Sequence, residues 1–196
     1  NAITREEIRE YLNAVYDLER LMSRVSYQSA NPRDLTAFKT SLSMLPHIHI
    51  LLSGMKSDLI KAIYNELDVL EDLHQLIEDA IEDEPPSGVR EGGIIKQGYN
   101  EEVDLLRAAK TEGKGWILAL EEREKERTGI KNLRIRFNRV FGYYLEVTNS
   151  FKELVPIEWT RKQTLTNAER YTTPELKELE DKILNAEDRL FALEYD

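Results

Sequence analysis

Residues 129 to 174 are the one long stretch of this chain in which apolar and polar side chains alternate; elsewhere the apolar positions recur every three or four residues. A strand repeats every two residues and a helix every 3.6, so the switch confines strands to this stretch and makes the remainder helical. Leu133, Ile135 and Phe137 alternate with Arg134 and Arg136, and Tyr143, Leu145 and Val147 alternate with Tyr144, Glu146 and Thr148, the pattern of a half-buried sheet. Gly142 sits between the two runs, where a hairpin turn needs a residue that accepts positive φ.

The flanks say how such a sheet is carried. From Asn100, a suitable N-cap, a helix is predicted to run to Gly129; at ~1.5 Å per residue its 28 residues span about 42 Å. Gly113 and Gly115 would allow a kink, and the almost wholly charged Glu121–Thr128 is expected to project into water or pair sparsely. Beyond the strands, Leu176, Leu179, Ile183, Ala186, Leu190 and Leu193 keep a strict 3-4 spacing, an a/d seam able to zip antiparallel against the entering helix. The expected fold is mainly α: a helical bundle with a long antiparallel two-helix arm carrying a small antiparallel β domain at its tip. The divisions fall at residues 1–128, 129–174 and 175–196. The helical body is expected to survive deletion of 131–172.

The first hundred residues read as helices at about 4–27, from Pro32 to a stop at Pro46, and at about 48–53 and 58–82, ended by Pro85-Pro86. Asn31-Pro32-Arg33-Asp34 supplies an N-cap, a proline at the first helical position and an acid at N3. His47, His49 and His74 have no metal-ligand or general-base partners in sequence and read as helix-end or surface residues. The glycine-bearing Arg90–Asn100 segment lacks the Gly-Lys-Ser/Thr ending of a phosphate loop; its glycines suit short strands or turns packed on a helix.

Charge is uneven. Eight basic residues face four acidic ones between 131 and 172, a net of +4, so the rest of the chain carries −14 to reach the overall −10. A basic sheet on an acidic stalk fits a polyanion bound at one end only, and ordinary solvated strand charge fits equally. With a pI near 5.0, the chain does not coat nucleic acid over its whole surface. The absence of cysteine excludes disulfides, thiolate nucleophiles and cysteine-ligated zinc and fits a reducing cytoplasm. No apolar run approaches the ~20 residues that span a bilayer. The chain lacks an initiator Met, Asn1-Ala2 fits a cloning remnant, and the last helical pattern is still running at Asp196, so a piece of a larger protein is expected.

Four separated blocks carry a resemblance. Arg90-Glu-Gly-Gly-Ile-Ile-Lys-Gln-Gly-Tyr-Asn-Glu-Glu-Val-Asp-Leu-Leu-Arg107 follows Pro85-Pro86. Then come Glu122-Arg-Glu-Lys-Glu-Arg-Thr-Gly129, Asn138-Arg-Val-Phe-Gly-Tyr-Tyr-Leu-Glu-Val-Thr148 and Arg161-Lys-Gln-Thr-Leu-Thr-Asn-Ala-Glu-Arg-Tyr171. In this order they closely resemble the MutS family of bacterial DNA mismatch-recognition proteins, over nearly the whole chain. The resemblance implies that the helices are the family's core, or lever, and that the strand insert is its clamp. It implies a dimeric parent that wraps duplex DNA, with a Phe-x-Glu wedge domain and C-terminal ATPase domains using ATP and Mg. Neither the wedge domain nor a Walker A motif is present in this sequence, so it implies no catalytic, cofactor or metal residue here.

Clamp contacts in the family are to DNA phosphates without base reading. That role carries over to Asn149, Ser150 and Lys152 after the second strand, and to Arg161, Lys162, Thr166, Asn167 and Arg170 in the last block; Glu153 and Glu169 among them dilute the local field. The partners implied are the double-stranded DNA backbone and a second parent subunit, in the cytoplasm and away from membranes. Tyr143, Tyr144 and Tyr171 are expected to pack the sheet, because duplex DNA offers no free base to stack on; Trp159 is left open. Two other classes of function compete. A coiled-coil module could dock another protein through its acidic helices without binding DNA. A stand-alone enzyme is poorly supported, since no nucleophile, base and orienting group converge in sequence.

Overall fold

A computed structural model describes residues 2–196, and Asn1 lies outside the described residues. The chain divides into two compact units. One comprises the residues up to Glu101 with Glu194–Asp196, and the other is Glu102–Leu193. The fold is mainly α with one small antiparallel sheet.

Among the described residues the first unit holds five helices: α1 (Ala2–Asn13), α2 (Leu18–Ser26), α3 (Pro32–Ser53), α4 (Asp58–Glu66) and α5 (Glu71–Ala80). Leu21, Phe38, Leu42, Ile77, Ile81 and Ile94 are buried together at its centre. The expected capping box opens α3, with the Asn31 side chain accepting from the Asp34 N–H and the Asp34 side chain from the Asn31 N–H, both at 2.9 Å.

Three helix boundaries differ from the sequence reading. The helix expected over 4–27 breaks at Ala14–Asp17. The Tyr16 N–H donates to Ser41 Oγ at 2.8 Å, and the Asp17 carboxylate restarts the helix by accepting from the Arg20 N–H at 3.0 Å. Pro46 does not stop α3. A proline inside a helix costs about 3 kcal/mol, but burial of Phe38, Leu42 and Ile48 on either side of it outweighs that loss. The helix expected over 58–82 is two, because Leu70 adopts φ 51°, ψ 45°, its N–H turned to Asp68 Oδ1 at 2.9 Å.

Of the histidines expected at helix ends or on the surface, His47 is exposed and His49 half-buried, both within α3. The His47 ring stacks on Tyr11 at 4.9 Å, and the His49 ring stacks on Tyr64 at 4.1 Å while its Nε2 lies 3.0 Å from the Tyr64 carbonyl. The glycine-bearing segment pairs back on the end of α5, with the Glu82 N–H on the Ile94 carbonyl and the Lys96 N–H on the Ala80 carbonyl, both at 2.8 Å.

The second unit is the arm and its sheet. Helices α6 (Glu101–Thr128) and α7 (Pro174–Tyr195) run antiparallel, cross-linked by Arg123–Glu175, Lys110–Glu187 at 2.7 Å and Arg189–Glu102 at 3.2 Å. Leu176, Ile183 and Leu190 of the a/d seam are buried. No kink is needed at Gly113; α6 is continuous, and a Cβ on Gly113 would lie 2.5 Å from Ile183 Cγ1, so glycine lets the two helices approach.

Between the helices run β1 (Arg134–Asn138), β2 (Gly142–Thr148), a 3-10 turn (Asn149–Leu154), β3 (Thr160–Thr164) and β4 (Ala168–Thr172), paired antiparallel in the order β1-β2-β4-β3. Gly142 takes φ 73° opposite Asn138, as the hairpin required. The sheet shares one core with the arm: Leu133, Leu145, Val147, Trp159 and Tyr171 pack with Ile117 and Leu120 of α6 and with Leu176 and Ile183 of α7. The core of the first unit contains none of residues 131–172, whereas the core of the arm is built partly from them.

Candidate nucleic-acid interface

Two buried carboxylates, one from each arm helix, fasten the hairpin edges. Ile135 on edge strand β1 turns its N–H to Glu121 Oε2 at 2.9 Å, and Tyr143, beyond the reach of β4 along β2, turns its N–H to Glu180 Oε1 at 2.6 Å. Glu121 also receives Lys125 Nζ at 3.0 Å and Arg134 at 3.6 Å. Burial pushes the Glu121 carboxyl up, but the Ile135 N–H, Lys125 and Arg134 together hold it below its ordinary value. The charged stretch at the end of α6 thus does not simply project into water. Glu121 and Glu124 are over nine-tenths buried, and Glu124 is held by Arg127 at 2.8 Å. Sequence periodicity missed Glu121 and Glu180 because their partners are strand N–H groups 14 and 37 residues away.

So fastened, the sheet presents its far end, where β2 stops. There the Asn149 N–H donates to the Asn167 carbonyl and Asn149 Nδ2 to the Thr166 carbonyl, both at 3.0 Å, while Ser150 Oγ lies 3.0 Å from Thr148 Oγ1. The β3–β4 turn is closed by the Leu165 N–H on the Ala168 carbonyl at 2.8 Å. Five of the eight residues carried over by the resemblance, namely Asn149, Ser150, Lys152, Thr166 and Asn167, therefore lie on two adjoining segments of one tip, all exposed.

Arg161 and Lys162 stand apart from them, toward the other end of edge strand β3, which runs to Thr164 before the turn that holds Thr166 and Asn167. A bulge lies between Arg161 and Gln163, which leaves Lys162 without a partner in the register. Arg161 opposes Tyr171 and reaches Glu169 at 3.7 Å. Lys152 and Lys162 are both exposed and make no ion pair among the described residues.

Arg170 sits differently. Its partner Glu146 opposes it on β2 at 3.5 Å, its Nη1 donates to Gln163 Oε1 at 2.8 Å, and its guanidinium lies 4.4 Å above the Tyr144 ring. With Arg136 3.4 Å from Glu146, these residues tile the sheet face opposite the core. The tyrosines and Trp159 serve packing. Tyr144, Tyr171 and Trp159 are buried, and Trp159 lies 5.9 Å from Tyr171. Burial first, and the hydrogen bond to Glu169 second, push the Tyr171 hydroxyl up to about 12.

Comparison with known proteins agrees with this geometry. The family model for MutS family domain IV matches residues 98–189, which span nearly all of the arm and the whole sheet. The chain is 70% identical over its full length to the DNA mismatch repair protein MutS of Lachnoclostridium phytofermentans, covering 21% of that protein. The chain belongs to the MutS family. The MutS of Acetivibrio thermocellus is 58% identical over 97% of the chain, covering 22% of that protein, and the MutS of Clostridium botulinum is 50% identical over 100% of the chain, covering 21%. The chain thus spans about a fifth of the length of these MutS proteins. No helix among the described residues is long and apolar enough to cross a membrane, and those residues contain no cluster of His, Cys, Asp and Glu able to hold a metal ion.

Proposed function

We propose that the sheet is a clamp for the phosphate backbone of duplex DNA, and that the arm is the lever joining it to the rest of a mismatch-repair protein. The observation that carries this reading is the tip. Two segments far apart in sequence are tied by the Asn149 hydrogen bonds to the Thr166 and Asn167 carbonyls, and they present amides, hydroxyls and Lys152 to solvent. Such a surface offers donors to phosphate oxygens. Lys162 extends the positive field along β3, whereas Arg170, engaged with Glu146, Gln163 and Tyr144, supports the sheet from the other face. A shared core and two carboxylate fasteners make sheet and arm move together, which is what a lever requires. Within the same proposal the parent is a cytoplasmic homodimer whose ATP and Mg are bound by domains outside this chain.

The test is the salt dependence of binding. In a full-length protein containing this chain, Lys152→Gln and Lys162→Gln should each flatten the log–log slope of duplex affinity against salt by about 0.9 for every phosphate no longer neutralised. Homoduplex and mismatched duplex should weaken by the same factor, since phosphates carry no sequence. Slopes equal to the parent's in both variants would overturn the proposal.

A further inference from the structure

We infer that a third segment, the turn at Lys131, completes the DNA-facing tip and that Lys131 binds phosphate in its own right. This rests on the clamp reading above. The turn follows α6, so in sequence it lies some 18 residues before the nearest residue placed at the tip, and nothing in its composition marks it. Structure brings it there. Asn132 Nδ2 donates to Thr148 Oγ1 at 2.6 Å, Thr148 Oγ1 lies 3.0 Å from Ser150 Oγ, and Asn149 next to them holds Thr166 and Asn167. A continuous run of short polar contacts thus links three loops.

Within this turn Lys131 is the exposed corner. Ile130 and Leu133 on either side are fully buried in the shared core, and the Leu133 N–H closes the turn on the Ile130 carbonyl at 3.2 Å. The backbone under the lysine is pinned at both ends, so little ordering is left to be lost when an anion is bound. Its ammonium makes no ion pair among the described residues, unlike Arg134, Arg136, Arg161 and Arg170 of the same sheet. Lys131 and Lys152 are then the two unpaired cations of the tip.

Arg139 supplies a matched control. It too is exposed and unpaired among the described residues, but it lies in the β1–β2 turn at the opposite end of β2. Six residue steps from Gly142 to Thr148 put roughly 20 Å between that turn and the tip, against a Debye length of about 8 Å at physiological salt. Charge reversal at Arg139 alters net charge as much as reversal at Lys131 does, without touching the tip.

The experiment measures duplex affinity against salt for a full-length protein containing this chain and for Lys131→Glu, Lys131→Gln, Arg139→Glu and Lys152→Gln, each checked for an unchanged melting temperature. The expected result is a slope shallower by about 0.9 for Lys131→Gln, a further fall in affinity for Lys131→Glu, and a slope unchanged for Arg139→Glu. Equal losses at Lys131 and Arg139 would assign the effect to overall charge and overturn the inference. An effect at Lys152 with none at Lys131 would overturn it while leaving the clamp reading standing; no effect at Lys131, with Lys152→Gln and Lys162→Gln silent as well, would remove both.

Discussion

Truncating one arm side chain should unfold the sheet. Leu176, on the first turn of α7, is fully buried against a cluster that includes Leu133, Leu145 and Trp159. Leu176→Ala removes its packing from a site walled by both helices and two strands, so the cavity cannot readily collapse, and the expected cost is about 2–5 kcal/mol. For a domain of this size each kcal/mol lowers Tm by about 4–8 °C, so a 3 kcal/mol loss corresponds to about 12–24 °C. Trp159 is the reporter, being 6% exposed within the sheet's core, whereas Trp116 on α6 is 41% exposed. In a Trp116→Phe background, Trp159 fluorescence in the variant should melt earlier by that interval, together with the arm's share of helical ellipticity. A Trp159 transition at the parent temperature, with only the helical signal lowered, would refute the shared core and make the sheet an autonomous domain on a passive arm.

Three further outcomes follow from side-chain geometry. Arg170→Ala should cost about 1–3 kcal/mol in thermal melts, since it removes charged hydrogen bonds and the cation over the Tyr144 ring, while leaving the salt slope of duplex binding unchanged. Gly113→Ala should destabilise by about 1–3 kcal/mol despite alanine's better helix propensity, because its Cβ meets Ile183 Cγ1 at 2.5 Å; denaturant titration beside Gly115→Ala, which has open space, measures the difference. Glu121 is held below its ordinary 4.5 in the folded state, so its contribution is present above that value and is lost as pH falls through the folded value; Glu121→Gln should flatten the fall in stability below about pH 4.5.

Where local chemistry decides the structure, the sequence was readable. Alternation around Gly142, the capping box at Asn31 and the seam from Leu176 to Leu193 each stand in the fold as the spacing implied. The failures share a cause, a partner distant in sequence. Ser41 captures the Tyr16 N–H from 25 residues away, Glu121 finds the Ile135 N–H across a turn, and Pro46 is tolerated because Phe38, Leu42 and Ile48 on either side of it are buried. At the tip, the segments at Asn149 and Thr166 were both anticipated from family resemblance, but their union by Asn149, the bulge at Lys162 and the inward commitment of Arg170 depend on strand register, which periodicity does not fix.

The core that joins sheet to arm also sets an order of events during synthesis. Thr172, which ends β4, leaves the ribosome roughly 10 residues ahead of Ile183, the last side chain of that core, an interval of about 0.5–2 s at 5–20 residues per second. Through that interval the strands are complete but not yet covered by α7, with β1 and β3 as open edges. The charges on those edges, Arg134 and Arg136 on one and Arg161 with the bulged Lys162 on the other, discourage pairing with a neighbouring nascent chain. The arginines that pair with Glu121, Glu146 and Glu169 in the finished sheet are then also what keeps the unfinished one from aggregating.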